Sequence, residues 1–160
     1  MLRRIVSQKY DVVEGHLGMS EVHANEVEIP DLQGNNGFGS LRLRRLADGE
    51  LERVFIVFLL EPRQPEINLD TYKRILLRAV DALGQPVAKA RISLGCHYPT
   101  EEWPTMEVDT LEDGQLHLLT FPGTFRLPVQ FHAAVGRSPH IVVLVTPSDP
   151  PERSVFLTVA

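Results

Sequence analysis

Leu41-Arg42-Leu43-Arg44-Arg45-Leu46-Ala47-Asp48-Gly49-Glu50-Leu51-Glu52-Arg53-Val54-Phe55-Ile56-Val57-Phe58-Leu59-Leu60 is the stretch that decides the fold class. Leu41 and Leu43 alternate with Arg42 and Arg44, a period of two rather than the 3.6 of a helix. Asp48-Gly49 then supplies turn chemistry, because glycine tolerates the positive φ that a hairpin between twisted strands needs. Residues 54–60 are apolar on both faces, which predicts a central strand, and Pro62 and Pro65 end it.

Outward from this hairpin the same texture continues. Residues 72–80, 87–94, 116–121, 124–131, 140–146 and 155–159 are short runs rich in Val, Ile, Leu and Phe, fenced by Gly or Pro. Short strands with a turn signal every ~8–12 residues indicate an all-β sandwich or barrel. The one segment with helical spacing is 69–82, where Ile75, Leu76, Ala79 and Val80 fit i, i+4. Arg74-Ile75-Leu76-Leu77-Arg78 also reads as a strand core, and Gly84-Gln85-Pro86 behind it suits β better, so strand is the expectation.

Composition bounds the function classes. The chain has 160 residues, 43% apolar and 23% charged, with 11 Gly and 12 Pro, which fits one globular domain and excludes collagen and wholesale disorder. Sixteen Lys+Arg against 21 Asp+Glu leave a net charge of −5, so there is no basic field for nucleic acid. A single cysteine, Cys96, excludes an intramolecular disulfide. No apolar run reaches the ~18–20 residues of a membrane helix, so no membrane insertion is expected. Met1-Leu2-Arg3-Arg4 is followed by the polar Ser7-Gln8-Lys9-Tyr10-Asp11 rather than a signal-peptide core, which predicts cytoplasmic synthesis, export by another route, or a mature chain.

Two stretches differ in character. Residues 1–38 have few apolar pairs and read as an N-terminal extension or arm; residues 39–160 read as the β-sandwich domain. The run Gln33-Gly34-Asn35-Asn36-Gly37-Phe38-Gly39 lacks the Lys-Ser/Thr sequel of a phosphate-binding loop and reads as a φ-permissive connection.

From residue 77 the turns come in a recognisable order: Asp81-Ala82-Leu83-Gly84-Gln85-Pro86, then Asp113-Gly114, then Pro122-Gly123-Thr124-Phe125. Over residues 77–159 this resembles the carboxypeptidase regulatory-like domains, a transthyretin-like (prealbumin-like) β-sandwich related in architecture to immunoglobulin-like folds. The resemblance implies scaffold or binding work rather than catalysis. It does not account for the first 70 residues, which complete the sandwich, form a second small sheet, or project as an arm. Among similar sandwiches, the hydrolases of 5-hydroxyisourate end in Tyr-Arg-Gly-Ser/Thr, whereas this chain ends Phe156-Leu157-Thr158-Val159-Ala160. Intradiol dioxygenases hold iron with two Tyr and two His, and Tyr10, Tyr72 and Tyr98 are not clustered here.

No catalytic, cofactor or metal constellation stands out. His23-Ala24-Asn25-Glu26 has His-x-x-Glu spacing but no third ligand or large α/β domain around it. Cys96-His97 are neighbours, and adjacent strand residues point to opposite faces, so they do not form a working thiolate–imidazole pair. The interaction candidates are Tyr98 and Trp103, on the Pro-stiffened loop 97–104, and Arg42 and Arg44 on the first hairpin strand. The competing reading has Trp103 folded back over one end of the sandwich and the arginines paired with acids such as Glu50 and Glu52. Together these features predict a non-enzymatic structural or interaction protein. It is expected to have protein partners, as a homo-oligomer or as a subunit of a larger assembly such as a virion, tail or capsid-decorating particle. A carbohydrate- or surface-binding module is the alternative.

Overall fold

The computed structural model describes residues 1–30, 35–109, 113–134 and 136–159; Gln33-Gly34 and Ala160 of the segments quoted above lie outside the described residues. The chain is all-β. Its strands are β1 (Leu2–Val6), β2 (Tyr10–Leu17), β3 (Ser20–His23), β4 (Glu26–Glu28), β5 (Asn35–Arg45), β6 (Leu51–Leu60) and β7 (Glu66–Asn68), then a 3₁₀ turn (Leu69–Thr71). After it come β8 (Lys73–Val80), β9 (Arg91–Leu94), β10 (Met106–Asp109), β11 (Gln115–Thr120), β12 (Phe125–Ala133), β13 (Gly136–Arg137), β14 (Ile141–Val145) and β15 (Glu152–Thr158). Among the described residues no helix is long and apolar enough to cross a membrane. The segment with helical spacing is strand β8, as its dense Ile, Leu and Val content and the turn behind it require.

Two compact units result. One comprises Met1–Arg74 with His117–Phe121, the other Ile75–Leu116 with Pro122–Ala160. The division falls within β8, at Arg74/Ile75.

In the first unit the strand order is β11-β6-β5-β2-β3-β4-β1-β7. The β5–β6 hairpin is the longest ladder, running from Asn35↔Leu60 to Arg44↔Leu51, and β6 lies between β5 and β11 as a central strand. Inward residues alternate along it: Leu41 and Leu43 from β5, with Val54, Ile56, Phe58 and Leu60 from β6. The N-terminal strands add Ile5, Val12, Leu17, Val22 and Val27 to the same core, and Ile67, Leu69 and Leu119 join it from further along the chain. Residues 1–28 are thus part of a hydrophobic core, and 35–39, expected as a connection, are the first half of β5. Their alternation is hard to see because β2 carries a bulge between Val12 and Glu14, which inserts Val13 and breaks the period.

Two glycines let β2 and β5 approach. A Cβ on Gly15, whose φ is 151°, would lie 2.1 Å from the Ser40 carbonyl oxygen, and one on Gly39 would lie 2.3 Å from that of His16. At the β3–β4 turn, Ala24 (φ 47°) and Asn25 (φ 66°) both occupy the left-handed region, the geometry of a two-residue type I′ hairpin. Asn25 suits the position: its Oδ1 accepts from Val12 N–H at 2.6 Å. Ala24 has no such compensation. Ala24→Gly is therefore expected to raise stability by about 0.5–1 kcal/mol, read as a higher urea midpoint at unchanged slope; an unchanged or lower midpoint refutes it.

The second unit buries alternate residues from two sheets, the immunoglobulin-like sandwich arrangement expected. Ile75, Leu77 and Ala79 come from β8, and Leu157 from its neighbour β15. Ile92, Leu94, Leu127, Val129, Phe131, Val143 and Val145 come from the sheet β10-β9-β12, in which β14 and β13 pair with β12. The turn after β8 is closed by Asp81, whose Oδ1 accepts from Leu83 N–H and Gln85 N–H, both at 2.9 Å. The expected strand 87–94 is shorter than its sequence suggests: Val87 N–H bonds the Ala79 carbonyl, Lys89 then turns left-handed at φ 57°, and β9 begins only at Arg91.

Candidate functional site

On the outer face of the first unit, β3, β2, β5 and β6 line a concavity of about 670 Å³. The ladder sets its side chains in rows. His23 lies opposite Glu14, Glu14 opposite Arg42, and Arg42 opposite Arg53. A second row runs from Glu21 through His16 to Ser40. Arg42 reaches Glu14 at 3.4 Å, while Arg53 Nε donates to Ser40 Oγ at 3.1 Å and its guanidinium sits 4.7 Å above the Phe55 ring centroid. His16 Nδ1 is 3.2 Å from the Gly18 carbonyl, which only accepts, so Nδ1 is the donor of that bond.

Beside this face, Arg74 organises a half-buried polar cluster that the sequence offers no means of finding, since its members come from four strands. Its Nη2 donates to Glu52 Oε1 at 2.7 Å and to the Tyr10 hydroxyl at 3.0 Å. Its Nη1 lies 3.3 Å from His117 Nδ1. Arginine only donates, so His117 Nδ1 accepts and its proton resides on Nε2. The second Glu52 oxygen is 3.8 Å from Arg45.

The four expected interaction residues are divided between the two units. Arg42 lines the concavity; Arg44, exposed on the same strand, does not. Tyr98 and Trp103 belong to the other unit. Tyr98 is half-buried and packs edge-on against Phe125 at 6.4 Å. Trp103 is only 5% exposed, and its backbone N–H donates to the Cys96 carbonyl at 2.8 Å. The indole is therefore folded into the unit, with little surface left to offer a ligand.

His23 and Glu26 face each other across the type I′ turn, both exposed. Cys96 is fully buried, and burial pushes its thiol up to about 12, which leaves it protonated and poorly nucleophilic at neutral pH. His97 points instead toward Glu102, at 3.8 Å. Tyr10 and Tyr72 pack against the first unit's core, whereas Tyr98 belongs to the second unit. Among the described residues no group of three or more His, Cys, Asp or Glu side chains could hold a metal ion.

The second unit carries an unusual edge. Its strand β10 is a charged edge, with Glu107 and Asp109 set against Arg91 at 3.8 and 3.5 Å. Strand β14, Ile141-Val142-Val143-Leu144-Val145, has no charge at all. Its backbone orientation follows from its partner. Pro128 directs its carbonyl to Gly95 N–H, and Arg126 exchanges both backbone bonds with His97, so both residues face away from β14. Their register partners Val142 and Leu144 are consequently in non-hydrogen-bonded pairs, and their own N–H and C=O groups point to the side on which no strand pairs with β14 among the described residues. The side chains of these two residues are 60% and 52% exposed. The Leu144 carbonyl is capped by Arg153 Nη2 at 2.6 Å.

No protein-family model matches the chain, and no curated protein does. Solved structures give distant likenesses. A 3-chlorocatechol 1,2-dioxygenase from Rhodococcus opacus is 14% identical over 55% of this chain and 58% of that one, with a TM-score of 0.43. A streptococcal ancillary pilin is 12% identical over 88% of this chain and 49% of its own, and the Bacillus anthracis TIE protein 12% identical over 99% and 33%, both with a TM-score of 0.42. The chain thus spans about a third to three-fifths of the lengths of these proteins, and likeness at this level does not say what it does.

Proposed function

We propose that this chain is a non-catalytic structural protein, a subunit that joins other copies of itself through the open edge of β14. The observation that supports this is the edge itself: five uncharged residues, two of them exposed, with backbone donors and acceptors aimed outward. Natural sheets ordinarily blunt such edges with charge, proline or brevity, and β10 and the three-residue β7 follow that practice. An uncharged strand is complementary to itself, because antiparallel pairing with its own copy meets no like charge and forms an isologous contact. Arg153 acts as a guard on one carbonyl and limits how readily the edge is taken. A virion, tail or capsid-decorating particle is one assembly such a subunit suits. The Asp81 turn and the two-sheet burial also support reading residues 77–159 as carboxypeptidase regulatory-like.

Mass measurement by light scattering across a concentration series tests the proposal. Wild type is expected to self-associate, Val142→Lys to run as a single chain with unchanged circular dichroism, and Arg153→Ala to associate at lower concentration. Wild type that stays a single chain up to about 0.5 mM, or a Val142→Lys variant that associates as before, overturns it.

A further inference from the structure

The concavity of the first unit carries an arrangement that the edge of β14 does not explain. Arg42 and Arg53 are direct cross-strand partners on the same face. Like charges so placed repel and cost a sheet stability, by an amount comparable to what an opposite-charge pair contributes. Such a pair is ordinarily neutralised by nearby acids, and the acids here are largely committed elsewhere. Glu52 is held by Arg74 at 2.7 Å and Arg45 at 3.8 Å. Among the described residues Glu14 pairs with Arg42 alone, at 3.4 Å. Among the described residues Arg53 has no acidic partner; its contacts are the Ser40 hydroxyl and the Phe55 ring. The Nε bond and the ring fix the plane of its guanidinium and leave the two terminal nitrogens presented to solvent, a fork that matches a carboxylate.

We propose that this concavity is a peptide-binding site in which one carboxylate lodges between Arg42 and Arg53. The opposite wall carries Glu21 beside His16, and the one carboxylate lining the β6 side, Glu52, is paired with Arg74 and Arg45, so the site is polarised: unneutralised guanidinium on the β5–β6 side, carboxylate on the β2–β3 side. That polarity selects a segment bearing an acid close to a basic residue and disfavours a polyanion, which the glutamates repel. A volume of about 670 Å³ holds a segment of a few residues rather than a lone ion. Acidic sugars are disfavoured for another reason. The aromatic ring in reach, Phe55, is 5% exposed and already covered by Arg53, so there is no open ring on which a pyranose can stack. The site lies wholly within the first unit and stands or falls independently of self-association through β14.

The test titrates the full chain with the capped peptide acetyl-Gly-Asp-Gly-Lys-Gly-amide and follows backbone amide chemical shifts. Shifts are expected at residues of β2, β5 and β6 lining the concavity. Replacing Asp by Asn in the peptide, or Arg53→Gln in the protein, is expected to weaken binding at least tenfold, and Arg42→Gln to weaken it less, since Glu14 already occupies that guanidinium in part. Arg63→Gln, which removes the same charge from an exposed turn of the same unit, is expected to change binding less than twofold. The proposal is overturned by an absence of shifts at 5 mM peptide, by equal binding of the Asn peptide, or by equal losses from Arg63→Gln and Arg53→Gln. It is likewise overturned if inorganic phosphate or oligogalacturonate displaces the peptide at lower concentration than the free Asp peptide does.

Discussion

Gly15→Ala is expected to cost roughly 3–5 kcal/mol and to lower the thermal midpoint by roughly 6–20 °C. The new methyl group would be placed 2.1 Å from the Ser40 carbonyl oxygen and 2.9 Å from the Leu41 Cα, and both are backbone atoms that no side-chain rotation can move aside. The φ of 151° adds a conformation that residues with a Cβ rarely adopt. Relief requires β2 to move away from β5, which means breaking the ladder that runs from Tyr10↔Arg45 to Leu17↔Gly39. Leu17, Leu41 and Leu43, all buried on that seam, would lose contact with it. The check is a thermal melt followed by sheet circular dichroism. A midpoint within about 2 °C of wild type would show that the two strands are not held so close.

Trp103→Ala is the second large effect, and it separates two readings of the same loop. An indole that is 5% exposed leaves a cavity when truncated, and such deletions cost about 3–5 kcal/mol. A tryptophan held out for a partner would cost a few tenths at most. The large value is therefore expected, measured as a shift in urea midpoint at unchanged slope. As the only Trp in the chain, its emission is itself a probe, blue-shifted when folded and moving to the red on unfolding. Addition of oligosaccharides is expected to leave that emission unchanged. A variant as stable as wild type, or a saccharide-dependent shift, would return the loop 97–104 to the role of a binding arm.

Arg42 and Trp103 differ in how far the amino-acid sequence alone reveals their surroundings. Both are interaction candidates because charged and aromatic residues in exposed positions make contacts. For Arg42 the exposure follows from strand alternation alone: Leu41 and Leu43 must point inward, so Arg42 must point out. For Trp103 no such local rule applies. A Pro-rich loop has no period, and whether its one large ring folds in or out depends on whether the sandwich leaves room at that end. The Arg74, Glu52, Tyr10 and His117 cluster is a more extreme case, since residues 10, 52, 74 and 117 meet only because four strands are brought side by side.

Local chemistry, then, determined the strands and their turns. The alternation around residue 41, the Asp48-Gly49 hairpin and the unbroken apolar run of β6 each depend on neighbours a few positions away, and those interactions act in any context. Tertiary structure decided what the strands belong to. The bulge at Val13 hides the inward face of β2, the left-handed Lys89 delays β9, and the boundary between units falls inside β8, where no change in composition marks it. It also decided the two surfaces on which function is argued, the open side of β14 and the facing Arg42 and Arg53. Both arise from register, and register is fixed by which long-range pairs bury the most apolar surface, a sum over the whole core that no single stretch of sequence contains.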